Sequence, residues 1–116
     1  MERFLGKWLF RERFDCGYDA GFAFFALEDG KLVGVLEYKE VISGGEPFKV
    51  RQYVECEVVD CAICMKGVLV TDLDGNLMDD YNPDILEGFF TAEGKIVGHS
   101  FDSEAVCGFF EMQRGN

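Results

Sequence analysis

Apolar and polar residues alternate along most of this chain with a period of two, and helical spacing is hard to find. In "PFKVRQYVECEVV", Lys49, Arg51, Glu55 and Glu57 share one face, which turns Phe48, Val50, Gln52, Val54, Cys56 and Val58 inward. In "KLVGVLEYKE", Glu37 and Lys39 point out and leave Leu32, Gly34, Leu36 and Tyr38 inside. In "FLGKWLFRERF", Arg11 and Arg13 point out, so Trp8, Phe10, Glu12 and Phe14 point in. Lys66 sends Cys61, Ile63, Met65, Gly67 and Leu69 inward by the same reasoning. The pattern predicts strands over 4–14, 20–28, 31–40, 47–59, 61–71, 85–92, 95–101 and 105–114. Asp29-Gly30 and Glu93-Gly94 mark the sharpest hairpin turns, because Gly accepts the positive φ that a tight turn needs.

Short connections force sequential strands to pair antiparallel, since a parallel return needs a crossover of about a dozen residues. Eight strands in a meander leave two edges, and closing the sheet hides both. The expected fold is therefore all-β, one antiparallel eight-stranded up-and-down barrel over residues 1–116, with a two-sheet sandwich as the alternative. "GFAFFALEDGKLVGVLEY" (21–38) is echoed by "EGFFTAEGKIVGHSF" (87–101), as recurrent hairpins of a quasi-symmetric barrel would be. Gly34, Gly67, Gly88, Gly98 and Gly108 fall inside strands, where glycine marks bends or close packing.

The row 21–27 is apolar on both faces, and Val33 and Val35 lie on the nominal outside of the next strand. An antiparallel sheet with two apolar faces is expected to be covered on its outer side. Two covers are open: a partial lid from the 72–84 loop, or a homodimer through strands two and three.

At 116 residues with 48% hydrophobic and 15% aromatic residues, the chain has material for one dense core. Its net charge of −11 argues against nucleic acid and against an anionic membrane surface as ligands. A basic partner protein or a cationic ligand remains compatible with it. Five cysteines without an apolar leader predict reduced thiols and a cytoplasmic location.

Gly6 and Trp8 form a Gly-x-Trp in the first strand, and Arg114 ends the last one. With the eight-strand meander, they resemble the calycin group of lipocalins, intracellular fatty-acid-binding proteins and avidin-like barrels. The resemblance implies that Trp8 plugs one end of the barrel and that Arg114 packs across it. It also implies a carrier of small molecules. The terminal helix of lipocalins has no counterpart here, and neither do the Trp residues of the biotin pocket, so biotin is not expected.

An inward carboxylate needs a partner, which makes Glu12 the sharpest chemical clue. In one reading Glu12, Tyr38 and Gln52 orient a small, partly apolar ligand while Phe10, Phe24, Leu36, Val54 and Phe90 hold its apolar part. In the other, Glu12 belongs to an internal polar network with Arg114, and the core is filled. "CAIC" (Cys61–Cys64) lies on a strand, where residues three apart face opposite ways, so buried thiols are expected rather than a redox or zinc site. "DLDGNLMDD" is dense in carboxylates but out of EF-hand register, leaving only a weak calcium site through Asp72, Asp74, Asn76 and Asp79 to consider. His99, the single histidine, has no nucleophile turn beside it. No catalytic residues, metal or cofactor are therefore expected. The functions in contention are a ligand-binding barrel and an acidic module for a basic partner, with a weak enzyme using Glu12 or His99 a distant third.

Overall fold

The structure, a computed structural model, describes residues 1–115. A short 3₁₀ turn (Glu2–Phe4) precedes eight strands: β1 (Gly6–Phe14), β2 (Gly17–Glu28), β3 (Lys31–Ile42), β4 (Phe48–Val59), β5 (Ala62–Thr71), β6 (Ile85–Phe90), β7 (Ile96–Phe101) and β8 (Cys107–Arg114). Every sequential pair is antiparallel, and β8 returns to pair with β1, so the sheet closes into a barrel in up-and-down order. This is the expected fold, and the sandwich alternative falls away. The tight turns carry the positive φ values their sequences call for: Asp29 at 52°, Gly30 at 78°, Asp60 at 55° and Gly94 at 84°.

The interior is packed from one end. Trp8, Phe10, Ala23, Leu36, Val50, Val54, Met65, Leu86, Ile96 and Met112 are almost wholly buried, with Phe4 capping them from the 3₁₀ turn. At this end Trp8 donates its indole N–H to the Phe4 carbonyl at 2.8 Å. Arg114 pairs directly opposite Trp8, stacks its guanidinium 3.9 Å from the indole centre, and donates to Leu5 O at 2.5 Å and Arg3 O at 2.7 Å. One side chain thus ties the last strand to the N-terminal turn through both charge and hydrogen bonds.

Two inward assignments from the sequence need correction here. Leu69 is 42% exposed, because β5 carries an extra residue: Val54 pairs with Gly67 while Tyr53 pairs with Leu69. The resulting β-bulge reverses the parity of the strand, so Val70 rather than Leu69 enters the core. Phe24 is likewise on the outer face, 42% exposed, and its neighbours Ala23 and Phe25 point in. Phe25 lies over Gly34 on β3, where an added Cβ would meet its ring at 2.7 Å. A large ring over an empty position fixes the phase that two apolar faces left undecided.

The other end of the barrel is splayed. β5 pairs with β6 only over Ala62–Lys66, and the 72–84 segment fills the gap above. It is anchored by Met78 N–H on Val70 O (3.0 Å) and Gly67 N–H on Asp84 O (2.8 Å). Met78 and Tyr81 then pack against the core from the barrel mouth. The segment therefore sits at the mouth and is not the cover of the outer β2–β3 face. That face leaves Phe22 and Phe24 exposed, with the Lys7 ammonium 4.2 Å from the Phe22 ring centre.

Candidate functional site

Three inward positions on neighbouring strands put acids side by side. Glu12 on β1 lies directly opposite Asp19 on β2, and Asp19 lies directly opposite Glu40 on β3. All three are buried, at 5%, 2% and 7% exposure. Like charges across a sheet repel, and burial penalises each charge further, so such a row is stable only if protons are retained or partners supplied.

The partners are arranged from the far wall. Ser100 on β7 donates its hydroxyl to Glu12 Oε2. Tyr81 donates to Glu40 Oε1 at 2.6 Å, and this fixes the direction of a longer chain. Tyr38 must then donate to the Tyr81 oxygen (2.8 Å), and Gln52 Nε2 donates to Tyr38 at 3.0 Å. Gln52, fully buried on β4, also donates to Asp84 Oδ2 at 3.1 Å and accepts the Asp84 N–H at 2.7 Å. Gly67 makes room for this amide: a Cβ there would collide with Gln52 Oε1. Asp19 is left with one oxygen, Oδ1, that has no partner.

The titration behaviour follows from the geometry. Burial, then the hydrogen bond and charge of Glu40, pushes the Asp19 carboxyl up to about 11. Burial likewise raises Glu12, against the opposing effect of the Ser100 hydroxyl. Asp84 is pushed up to about 7, by burial first and by the charge of Glu12 second. Burial also raises the phenols of Tyr38 and Tyr81, so both stay protonated donors or acceptors at neutral pH.

Above this row the barrel opens into a cavity of about 530 Å³. Its walls come from the β1–β2 turn, the ends of β3 and β4, the 72–84 segment and the β7–β8 turn. Seven carboxyl residues line it, Glu12, Asp19, Glu40, Asp80, Asp84, Asp102 and Glu104, with no Lys, Arg or His among the lining residues. The apolar wall is Phe14, Ile42, Phe48, Met78, Tyr81 and Val106. The volume lies within the range of small-molecule sites.

Of the eight residues singled out from the sequence as ligand contacts, only Glu12 borders this cavity. Tyr38 and Gln52 lie beneath it in the polar chain. Phe10, Leu36 and Val54 are packed into the filled core, at 1%, 1% and 2% exposure. Phe24 faces outward. Phe90 sits at the closed end, its ring 6.2 Å from Trp8 and 5.8 Å from Phe4. The proposed Glu12–Arg114 network is also corrected, since Arg114 pairs with Trp8, four residues back along β1 from Glu12.

Asp19, Glu40, Tyr81, Asp84 and Ser100 did not stand out from the sequence. Glu40 was findable, because it continues the inward phase of Leu36 and Tyr38. Asp19 was hidden in "DCGYD", which reads as a loop but belongs largely to a strand beginning at Gly17.

The remaining motifs have local explanations. Asp72 Oδ1 accepts the N–H groups of Asp74 and Asn76, both at 2.9 Å, and Oδ2 accepts the Asn76 amide at 3.0 Å. These bonds hold its carboxyl below the usual range and make it the cap of a turn. Among the described residues no three His, Cys, Asp or Glu side chains are placed to hold a metal ion. All five cysteines are free; Cys61 is exposed at its turn and Cys64 is half-buried, which corrects the expected burial of this pair. His99 is on the outer face, 3.2 Å from a Glu87 oxygen.

The class defined by this geometry is a small closed antiparallel barrel, filled at one end and hollow at the other. Solved structures share that shape. A redesigned beta barrel, mFAP1, bound to DFHBI, aligns with a TM-score of 0.67 at 16% identity over 97% of this chain and 96% of its own. A fluorescence-activating beta barrel designed de novo aligns at 0.59 and 18% identity over 98% and 95%. The redesigned barrel mFAP0, also bound to DFHBI, aligns at 0.59 and 18% over 97% and 99%. At these identities the likeness is one of fold. No protein-family model and no curated protein matches the chain.

Proposed function

We propose that this chain is a non-catalytic binding barrel that carries or sequesters a small, partly apolar molecule in the cavity above the acid row. The observation that carries this reading is the hollow end itself: about 530 Å³, walled in part by apolar side chains and floored by an ordered polar chain. A purely structural barrel of this size would fill that volume with side chains, as the Trp8 end does. Two of the barrels with the same fold hold DFHBI, which supports a cavity in this architecture as a place for a small ligand.

Native mass spectrometry of the protein as purified from cells, compared with its denatured mass, tests the reading. A loaded cavity gives extra mass that is released on denaturation. A bare mass, together with no binding of the apolar dye Nile red, overturns it and moves the function to the acidic outer surface and a basic partner.

The exposed apolar stretch on β2 and β5 favours a second, compatible reading. Phe22, Phe24, Val68 and Leu69 are all about two-fifths to half exposed, and a groove of about 390 Å³ runs beside Phe24, Val35 and Tyr53. We propose that two copies pair through this face.

A further inference from the structure

We propose that the ligand is an organic cation, an amine or ammonium on an apolar or aromatic body, whose charged head binds at Asp19 and Glu40. This rests on the reading of the cavity as a ligand site and names the chemistry that site selects.

The first observation is the one-signed lining. Seven carboxyl residues and no basic side chain border the cavity. Arg114 stacks on Trp8 at the closed end, and Arg51 and Lys95 pair with Glu37 and Glu111. An anionic ligand would meet only repulsion there.

The second observation is independent of the count. Asp19 is only 2% exposed, lines the cavity, and has an oxygen without any partner. A buried polar atom left unpartnered is costly, and evolved interiors leave few of them. An ammonium brings up to three N–H donors and one positive charge, which answers both the missing partner and the crowding of Glu12, Asp19 and Glu40. A neutral ligand can supply a donor but leaves the crowding of the three acids unanswered.

A bare metal ion fits less well, because among the described residues no three His, Cys, Asp or Glu side chains, the acid row included, are placed to hold one. An organic body fits the upper wall. Phe14, Ile42, Phe48, Met78 and Val106 are apolar, and the Tyr81 and Phe48 rings meet edge to face at 6.4 Å. Aromatic faces beside an acid floor suit a cation carried on a ring or chain.

Binding then exchanges one cation for a proton. The ammonium enters with its charge, Asp19 gives up the proton it shares with its neighbours, and that proton leaves to the solvent. The groups that face Asp19 during this exchange are Glu12 on β1, Glu40 and Tyr38 on β3, Tyr81 and Asp84 from the 72–84 segment, and Asp102 and Glu104 beyond β7.

The test uses three matched probes on the whole chain: tryptamine (cationic), 3-ethylindole (neutral) and indole-3-propionate (anionic). Titration calorimetry at pH 8 in two buffers of different ionisation enthalpy reads affinity and protons released together. The expected result is tryptamine at least about tenfold tighter than either isostere, with net proton release. Asp19→Asn and, separately, Glu40→Gln should each narrow the preference for tryptamine over 3-ethylindole by about tenfold or more. If the neutral or anionic probe binds as well as tryptamine, the cation assignment is wrong and the binding barrel stands. If Nile red enters but tryptamine does not, the conclusion is the same. If nothing enters and the native mass is bare, both readings fall.

Discussion

Asp19→Asn should stabilise the protein at neutral pH, and the gain should vanish in acid. Asp19 is 2% exposed, and its carboxyl is raised from the ordinary 3.8 to about 11 by burial and by Glu40. A carboxyl raised on folding favours the native state fully only below its unfolded value. Above that value the unfolded chain releases the proton and the native chain keeps it, so stability falls as pH rises toward the folded value. Each pH unit in this window costs about 1.4 kcal/mol, which between pH 4 and pH 7 amounts to about 4 kcal/mol at most. Coupling to Glu12 and Glu40 shares the proton and reduces the figure to roughly 2–4 kcal/mol. Asparagine keeps the shape and a donor for Glu40 while removing the titration. Its own replacement of one hydrogen bond geometry by another costs about 1 kcal/mol at any pH. Urea unfolding of both proteins at pH 4, 5.5, 7 and 8.5 therefore has a definite expectation. The variant is equal or slightly weaker at pH 4 and stronger by about 1–3 kcal/mol at pH 7. A difference that stays constant across the four pH values would refute the assignment of a retained proton to Asp19.

Three further outcomes follow from other parts of the barrel. Arg114→Ala removes the stack on Trp8 and both bonds to the N-terminal turn, and should cost about 1–3 kcal/mol with a red shift of Trp8 emission; unchanged emission and stability would contradict the closing role. Gly108→Ala places a Cβ 2.6 Å from the Arg13 carbonyl and 2.9 Å from Glu12 Oε2, and should lower stability by about 2 kcal/mol or more in the same urea assay. Phe24→Glu, in the middle of the exposed β2 face, should turn a dimer into a monomer by light scattering without loss of fold; an unsubstituted protein that is monomeric at high concentration removes the dimer.

Strand positions were legible because alternation survives wherever charges mark the outer face. β3 is the plainest case: Glu37 and Lys39 fix the phase, and Leu32, Leu36 and Tyr38 are buried as that phase requires. Where no charge marks a face, the pattern has no phase to read. "GVLV" in β5 is apolar throughout, so nothing in it announces the extra residue that turns Val70 in and Leu69 out. The same holds for Phe24 and Phe25, which are settled only by the empty space above Gly34 across the strand pair. The site was legible in one residue. Glu12 stood out as an acid on an apolar face, but its neighbours are set by pairing register, which places Asp19 and then Glu40 beside it. Register is a long-range property of the closed sheet, and a single sequence does not state it.

The two ends of the barrel follow opposite designs, and the contrast bears on function. At the Trp8 end the indole N–H and the Arg114 guanidinium have partners, and the space is filled. At the other end three acids crowd one another, one oxygen goes without a partner, and space is left open. Local destabilisation kept at a cavity is typical of a site that a ligand completes. In the proposed site the retained proton stands in for that ligand, so stability and affinity depend on pH in opposite directions. Raising the pH weakens the empty barrel, because Asp19 holds its proton at increasing cost, and strengthens the hold on a cation, because less work is needed to expel that proton. Stabilisation by bound ligand grows with its affinity at fixed concentration. The rise in melting temperature caused by a fixed excess of tryptamine should therefore be larger at pH 8.5 than at pH 5.5, although the empty protein melts lower at pH 8.5. Asp19→Asn should flatten both trends together. A variant that flattened the stability trend while keeping the full pH dependence of the ligand-induced rise would separate the proton from the binding site and break this linkage.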